Sequence, residues 1–123
     1  MSTLKADTIQ STGGGAVTLT KQSAAKAWVN FNGTGTVAIR NSLNTSTITD
    51  RTTGSYTQNY SSSWSAVDYT VTASGTSSAN YSSAVDDTDG APTTSATLIQ
   101  TVTAAGTEND SPYALFVEHG DLA

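Results

Sequence analysis

The chain has 123 residues and carries five Lys and Arg against ten Asp and Glu, a net charge of −5, so it is one acidic domain or one domain with an extension. Five scattered cations (Lys5, Lys21, Lys26, Arg40, Arg51) form no phosphate-tracking stripe, and no apolar run reaches the roughly 18 residues of a membrane span. The start, MSTLKADTIQ, lacks the apolar core of a signal peptide, and the absence of cysteine removes disulfides, thiolate metal sites and thiol catalysis. Nucleic acid partners and membrane insertion are therefore not expected, no cofactor is implied, and the composition fits maturation in a reducing cytosol.

Read in chain order, apolar residues recur with period two and never with sustained helical spacing. STLKADTIQ (2–10) reads as a strand with Leu4 and Ala6 on one face and Ile9 on the other. Gly13, Gly14 and Gly15 break it, and AVTLT (16–20) follows as a second short strand with Val17 and Leu19 together. These 23 residues are too small to fold alone and are expected to be an extended arm for attachment or subunit interlocking. From residue 24 to 123 a β-sandwich or jelly-roll-like body is expected. KAWVNF puts Ala27, Val29 and Phe31 on one face and Trp28 and Asn30 on the other, and NGTG turns the chain back into TVAIR, with Val37 and Ile39 inward. Phe31 and Ile39 are both expected to be buried. GSYTQNY places Tyr56, Gln58 and Tyr60 together, and AVDYTVTA does the same for Val67, Tyr69, Val71 and Ala73. The stretch from Gly75 to Thr94 reads as a long polar loop with one edge strand around Asn80–Val85. SATLIQTVTA and YALFVEHG close the series, separated by the polar loop AGTENDSP. Strands about ten residues apart with turn residues between them are the all-β pattern.

The charged fraction is 12 %, about half the usual quarter, and Ser and Thr fill roughly a third of the chain. Large apolar side chains are few for a body that must bury about two-thirds of its unfolded surface, so association with further copies is expected to complete the burial.

The chemistry-bearing motifs are weak. His119 stands near Asp121 and many serines, yet no G-x-S-x-G elbow is present, and a surface or interface histidine is the simpler reading. VDDTDG (85–90) has a valine where a calcium loop needs an acid and Ala96 where it needs Glu, so it reads as a solvated acidic loop. The GGG run lacks the Lys-Ser/Thr of a phosphate loop. No catalytic and no metal-ligating residue is nominated. The aromatics (Trp28, Tyr56, Tyr60, Trp64, Tyr69, Tyr81) are expected mostly to pack. Trp28 faces away from the Val29–Phe31 side, toward the arm or a neighbouring subunit, with Leu4 and Ile9 as further interface or arm-packing candidates. Tyr81, beside Asn80 in the long loop, is the candidate for stacking on a glycan.

The stretch AKAWVNFNGTGTVAIRNSLNTSTITDRTTGSYT (25–57) resembles the signature block of a family of tail-fibre-like virion proteins common in marine phages. MSTLKADTIQSTGGGAVTLT resembles their N-terminal arm and FVEHGD their closing strand. The chain departs from the pattern at Gln58 and Trp64, where aliphatic residues are expected. The resemblance implies a non-enzymatic virion structural protein, homotrimeric, in contact with other tail or capsid proteins. A capsid decoration or head-fibre (cement) protein is the alternative within that class. A glycan-binding receptor-recognition module, using the 75–94 and 105–112 loops, is the alternative of another class. A depolymerase would need paired buried carboxylates across a cleft, whereas the acids here cluster in loops.

Overall fold

In the computed structural model the described residues are 11–13, 24–76, 82–85 and 90–123. The expected arm strands, with Leu4 and Ile9, and the candidate pair Asn80 and Tyr81 lie outside them.

Eight strands make up the described body, and no helix occurs among the described residues. They are β1 (Ala27–Asn32), β2 (Ala38–Leu43), β3 (Thr45–Thr52), β4 (Ser55–Tyr60), β5 (Thr70–Thr76), β6 (Ser82–Val85), β7 (Ala96–Val102) and β8 (Tyr113–His119). They form two four-stranded antiparallel sheets, ordered β2-β1-β8-β5 and β3-β4-β7-β6. This is a small β-sandwich, and three sequence-adjacent pairs, β1/β2, β3/β4 and β6/β7, are neighbours within a sheet. The 25–57 stretch builds the first two of these hairpins, one in each sheet.

Period-two alternation does the folding work. Along β1, Ala27, Val29 and Phe31 are buried while Trp28 and Asn30 lie on the outer side. β4 buries Tyr56, Gln58 and Tyr60, β7 buries Thr97, Ile99 and Thr101, and β8 buries Ala114, Phe116 and Glu118. One core cluster joins Val29, Phe31, Tyr56, Ile99, Ala114 and Phe116, and Phe31 meets Tyr56 edge-on (5.0 Å) and Phe116 face-on (6.2 Å). A second cluster, at the other end of β1 and β8, joins Ala27, Tyr60, Trp64 and Tyr69.

Turn chemistry fixes the hairpins. Gly54 has φ +74° in the β3/β4 turn, a left-handed conformation that glycine adopts most readily, and its N–H donates to Asp110 Oδ1 (2.7 Å). Asn44, also at positive φ (54°), joins β2 to β3 across the sheets. Its side chain donates to Ser62 O (3.1 Å) and accepts from Ser62 N (2.7 Å), which pins the β4–β5 loop.

Two expectations need correction. Ile39 packs against the first cluster but is only half-buried, because β2 is an edge strand of its sheet. Val67 is 58 % exposed, because β5 begins at Thr70 and the residues before it form a loop. Gln58 and Trp64, the departures from the family pattern, are both fully buried, each with one side-chain polar atom that has no hydrogen-bond partner. The expected edge strand in the 75–94 stretch is β6, at the free edge beside β7.

Candidate functional site

The second cluster is where titratable and hydrogen-bonding side chains converge. β8 alternation aims Glu118 inward after Ala114 and Phe116, and its side chain is fully buried. Neither Glu118 oxygen has a hydrogen bond of proper geometry. Burial pushes the carboxyl up to about 7, and the nearby Gln58 amide pulls in the opposite direction without cancelling it. Gln58 Nε2 donates to Thr45 Oγ1 (2.9 Å), and Thr45 Oγ1 donates to Trp28 O (3.3 Å). Gln58 Oε1 has no donor. Burial without a hydrogen-bond partner disfavours the charged carboxylate, so the neutral acid is the form this environment favours.

Around this pair, aromatic rings form the walls. Trp64 stacks on Tyr69 (4.7 Å, 14°), and Tyr60 meets both edge-on. The Tyr60 and Tyr69 hydroxyls converge on Thr97 Oγ1, Tyr60 at 2.6 Å, and Tyr69 also donates to Thr93 O (3.0 Å). Burial raises the Tyr60 phenol well above its ordinary range, with Thr97 opposing and the Glu118 charge reinforcing the rise. Gly120 allows the stack to close: an added Cβ would stand 2.7 Å from Tyr69 Cβ and 3.0 Å from the Trp64 ring. The tail then crosses Trp64 through the Trp64–Leu122 bridge and Ala123 N to Ser63 O (2.9 Å).

These groups are buried, so the arrangement bears on stability. The Ser-His-Asp set drawn from sequence is not assembled. His119 follows Glu118 in β8 and so points to the opposite, outer face. Asp121 is exposed, and Ser65 donates to its backbone oxygen (3.0 Å), not to its carboxylate. Among the described residues no group of three or more His, Asp or Glu could hold a metal ion. The 105–112 loop is tied down at its far end: Asp110 accepts from Tyr56 Oη (2.9 Å) as well as from Gly54, and Ser111 O accepts from Gly33 N (2.9 Å).

The two outer faces differ sharply. On the β3-β4 side, Asn59 Nδ2 donates to Thr47 Oγ1 (3.0 Å) and Thr49 Oγ1 (3.1 Å), a polar and self-satisfied surface. On the β2-β1-β8-β5 side, a row runs Leu43–Trp28–Val117–Thr72 across all four strands. Leu43 is 47 % exposed, and Tyr113, further along β8, is 50 % exposed with the Arg40 guanidinium 4.3 Å above its ring. Trp28, singled out from sequence, sits at the centre of this row; its companions Leu43, Val117 and Tyr113 were not singled out. Their signal was the position each takes opposite the buried phase of its own strand. No protein-family model, curated protein or solved structure matches the chain.

Proposed function

We propose that this chain is a non-enzymatic structural protein of a phage virion, built as a homotrimer into a tail fibre or fibre-like appendage that contacts the host surface. The observation that supports this best is the outward apolar row around Trp28, on a sandwich whose inward carboxylate is fully buried. A surface of that kind suits assembly, because monomeric proteins rarely leave contiguous apolar patches uncovered. The resemblance of residues 25–57 to tail-fibre-like virion proteins supplies the setting and the trimer. In this reading residues 1–23 attach or interlock the subunits, and residues 24–123 form the exposed body.

The test is to purify particles from an infected culture carrying this gene and digest them for peptide mass spectrometry. Antibody–gold labelling of the same particles then locates the protein. Peptides at stoichiometric abundance with gold on the tail are expected. Gold on the capsid would turn the assignment to a decoration protein, and absence from particles would overturn the reading.

A further inference from the structure

We propose that the outer face of the β2-β1-β8-β5 sheet is a self-association surface, and that it receives the Val67–Asp68 loop of a second copy of this chain. The proposal rests on the assembly reading above and names the surface that assembly would use. Among the described residues four large apolar side chains are conspicuously exposed, and three of them, Leu43, Tyr113 and Val117, share this one face. The fourth, Val67, stands in the β4–β5 loop beside exposed Asp68.

Charge identifies the occupant. The chain carries −5 overall, yet the four strands of this sheet contain a single acid, Glu118, and it points inward. Their outer face presents Arg40, whose NH1 reaches Asn30 Oδ1 (3.4 Å) while its guanidinium lies on Tyr113. The face is thus free of acids, with an apolar row from Leu43 to Val117 and a cationic edge, on an otherwise acidic molecule. The Val67 loop has the opposite character: an apolar tip flanked by Asp68, tied by Ser65 N to Asp121 O (2.8 Å), which brings a second exposed acid to the same end. Packing on the loop of the next copy pairs unlike charges and buries all four exposed apolar residues. Such a heterologous contact closes into a ring when its rotation permits, as a three-fold assembly requires.

Sedimentation velocity on the purified full chain tests this. The wild type should sediment as an oligomer. Leu43→Lys combined with Val117→Lys should sediment as a monomer with unchanged β-sheet circular dichroism, since both positions are exposed. Arg40→Glu and Asp68→Lys should each weaken association about tenfold, and the combined swap should recover most of the loss. A monomeric wild type would overturn the proposal and would mean that the face is covered by residues 1–23 or by a different protein. An oligomer indifferent to the lysine pair would equally overturn it, and a swap without recovery would remove the loop as occupant. None of these outcomes depends on particles, so absence from the virion would sink the proposed function and leave this contact standing.

Discussion

The two ends of the sandwich are built from the same strands in opposite chemistry. Where β1 contributes Phe31 and β8 contributes Ala114 and Phe116, the interior is closed by hydrocarbon and by one phenol, Tyr56, whose hydroxyl reaches out to Asp110 and Gly33 O. Where the same strands contribute Ala27 and Glu118, the interior is closed by Tyr60, Trp64 and Tyr69, by Gln58 and Thr97, and by a carboxyl. A chain poor in Leu, Ile and Val can still fill a core with aromatic rings, but each phenol brings a hydroxyl that must be paired. The first end sends its hydroxyl to the rim. The second keeps its hydroxyls inside, paired with Thr97 and Thr93, and holds beside them a buried carboxyl with no hydrogen-bond partner.

The comparison can be broken from the dry end first. Phe31 contacts both Tyr56 and Phe116 at the centre of the first cluster, so Phe31→Ala should cost about 3–5 kcal/mol in urea unfolding. A loss below about 1 kcal/mol would place Phe31 among ordinary surface positions.

The Glu118 end should respond to pH. Glu118 has its folded-state pKa raised from 4.5 to about 7 by burial. An acid raised in the folded state contributes stability that is fully present below about pH 4.5 and lost as pH rises through about 7. The loss amounts to about 3 kcal/mol, since each tenfold change in proton affinity between the folded and unfolded chain is worth about 1.4 kcal/mol. Glu118→Gln should flatten that slope: close to wild type at pH 4 and more stable by up to about 3 kcal/mol at pH 8. Parallel pH profiles for the two proteins would show that Glu118 is not the titrating group.

The smallest effect sharpens the contrast within the wet end. Tyr69→Phe keeps the stack on Trp64 but removes a hydroxyl bonded to Thr93 O and Thr97, and should cost about 1 kcal/mol. Loss of only a few tenths in thermal unfolding would mean that the Thr97 pairing with Tyr60 suffices.

How far this was legible in the sequence depended on which side chains carried the alternation. β1, β4, β7 and β8 could be read because Val29, Phe31, Tyr56, Ile99 and Phe116 recur in phase. β3 could not: TSTITDRT has one large apolar residue, Ile48, its other inward residue is Thr45, and two register shifts against β4 break the period. The loop before β5 misled in the other direction, since Val67 and Tyr69 share a phase that only Tyr69 keeps. Of the wet cluster, Glu118 was readable in principle as the third inward residue after Ala114 and Phe116, but a carboxylate in that position is expected to end a buried face, not to extend it. Trp64 sits outside any strand, and only tertiary packing by Tyr69, Gly120 and Leu122 puts it inside.

β8 lies between β1 and β5, so the sheet bearing the Trp28 row joins segments separated by almost the whole length of the body. Sheet β3-β4-β7-β6 has two sequence-local hairpins, whereas the other sheet has one and then waits for residues 113–119. Non-local pairing carries a larger loop-closure entropy than a local hairpin. The Leu43–Trp28–Val117 row is therefore complete only once β8 has paired with β1, so a chain that has not placed β8 lacks the full surface proposed for meeting another copy.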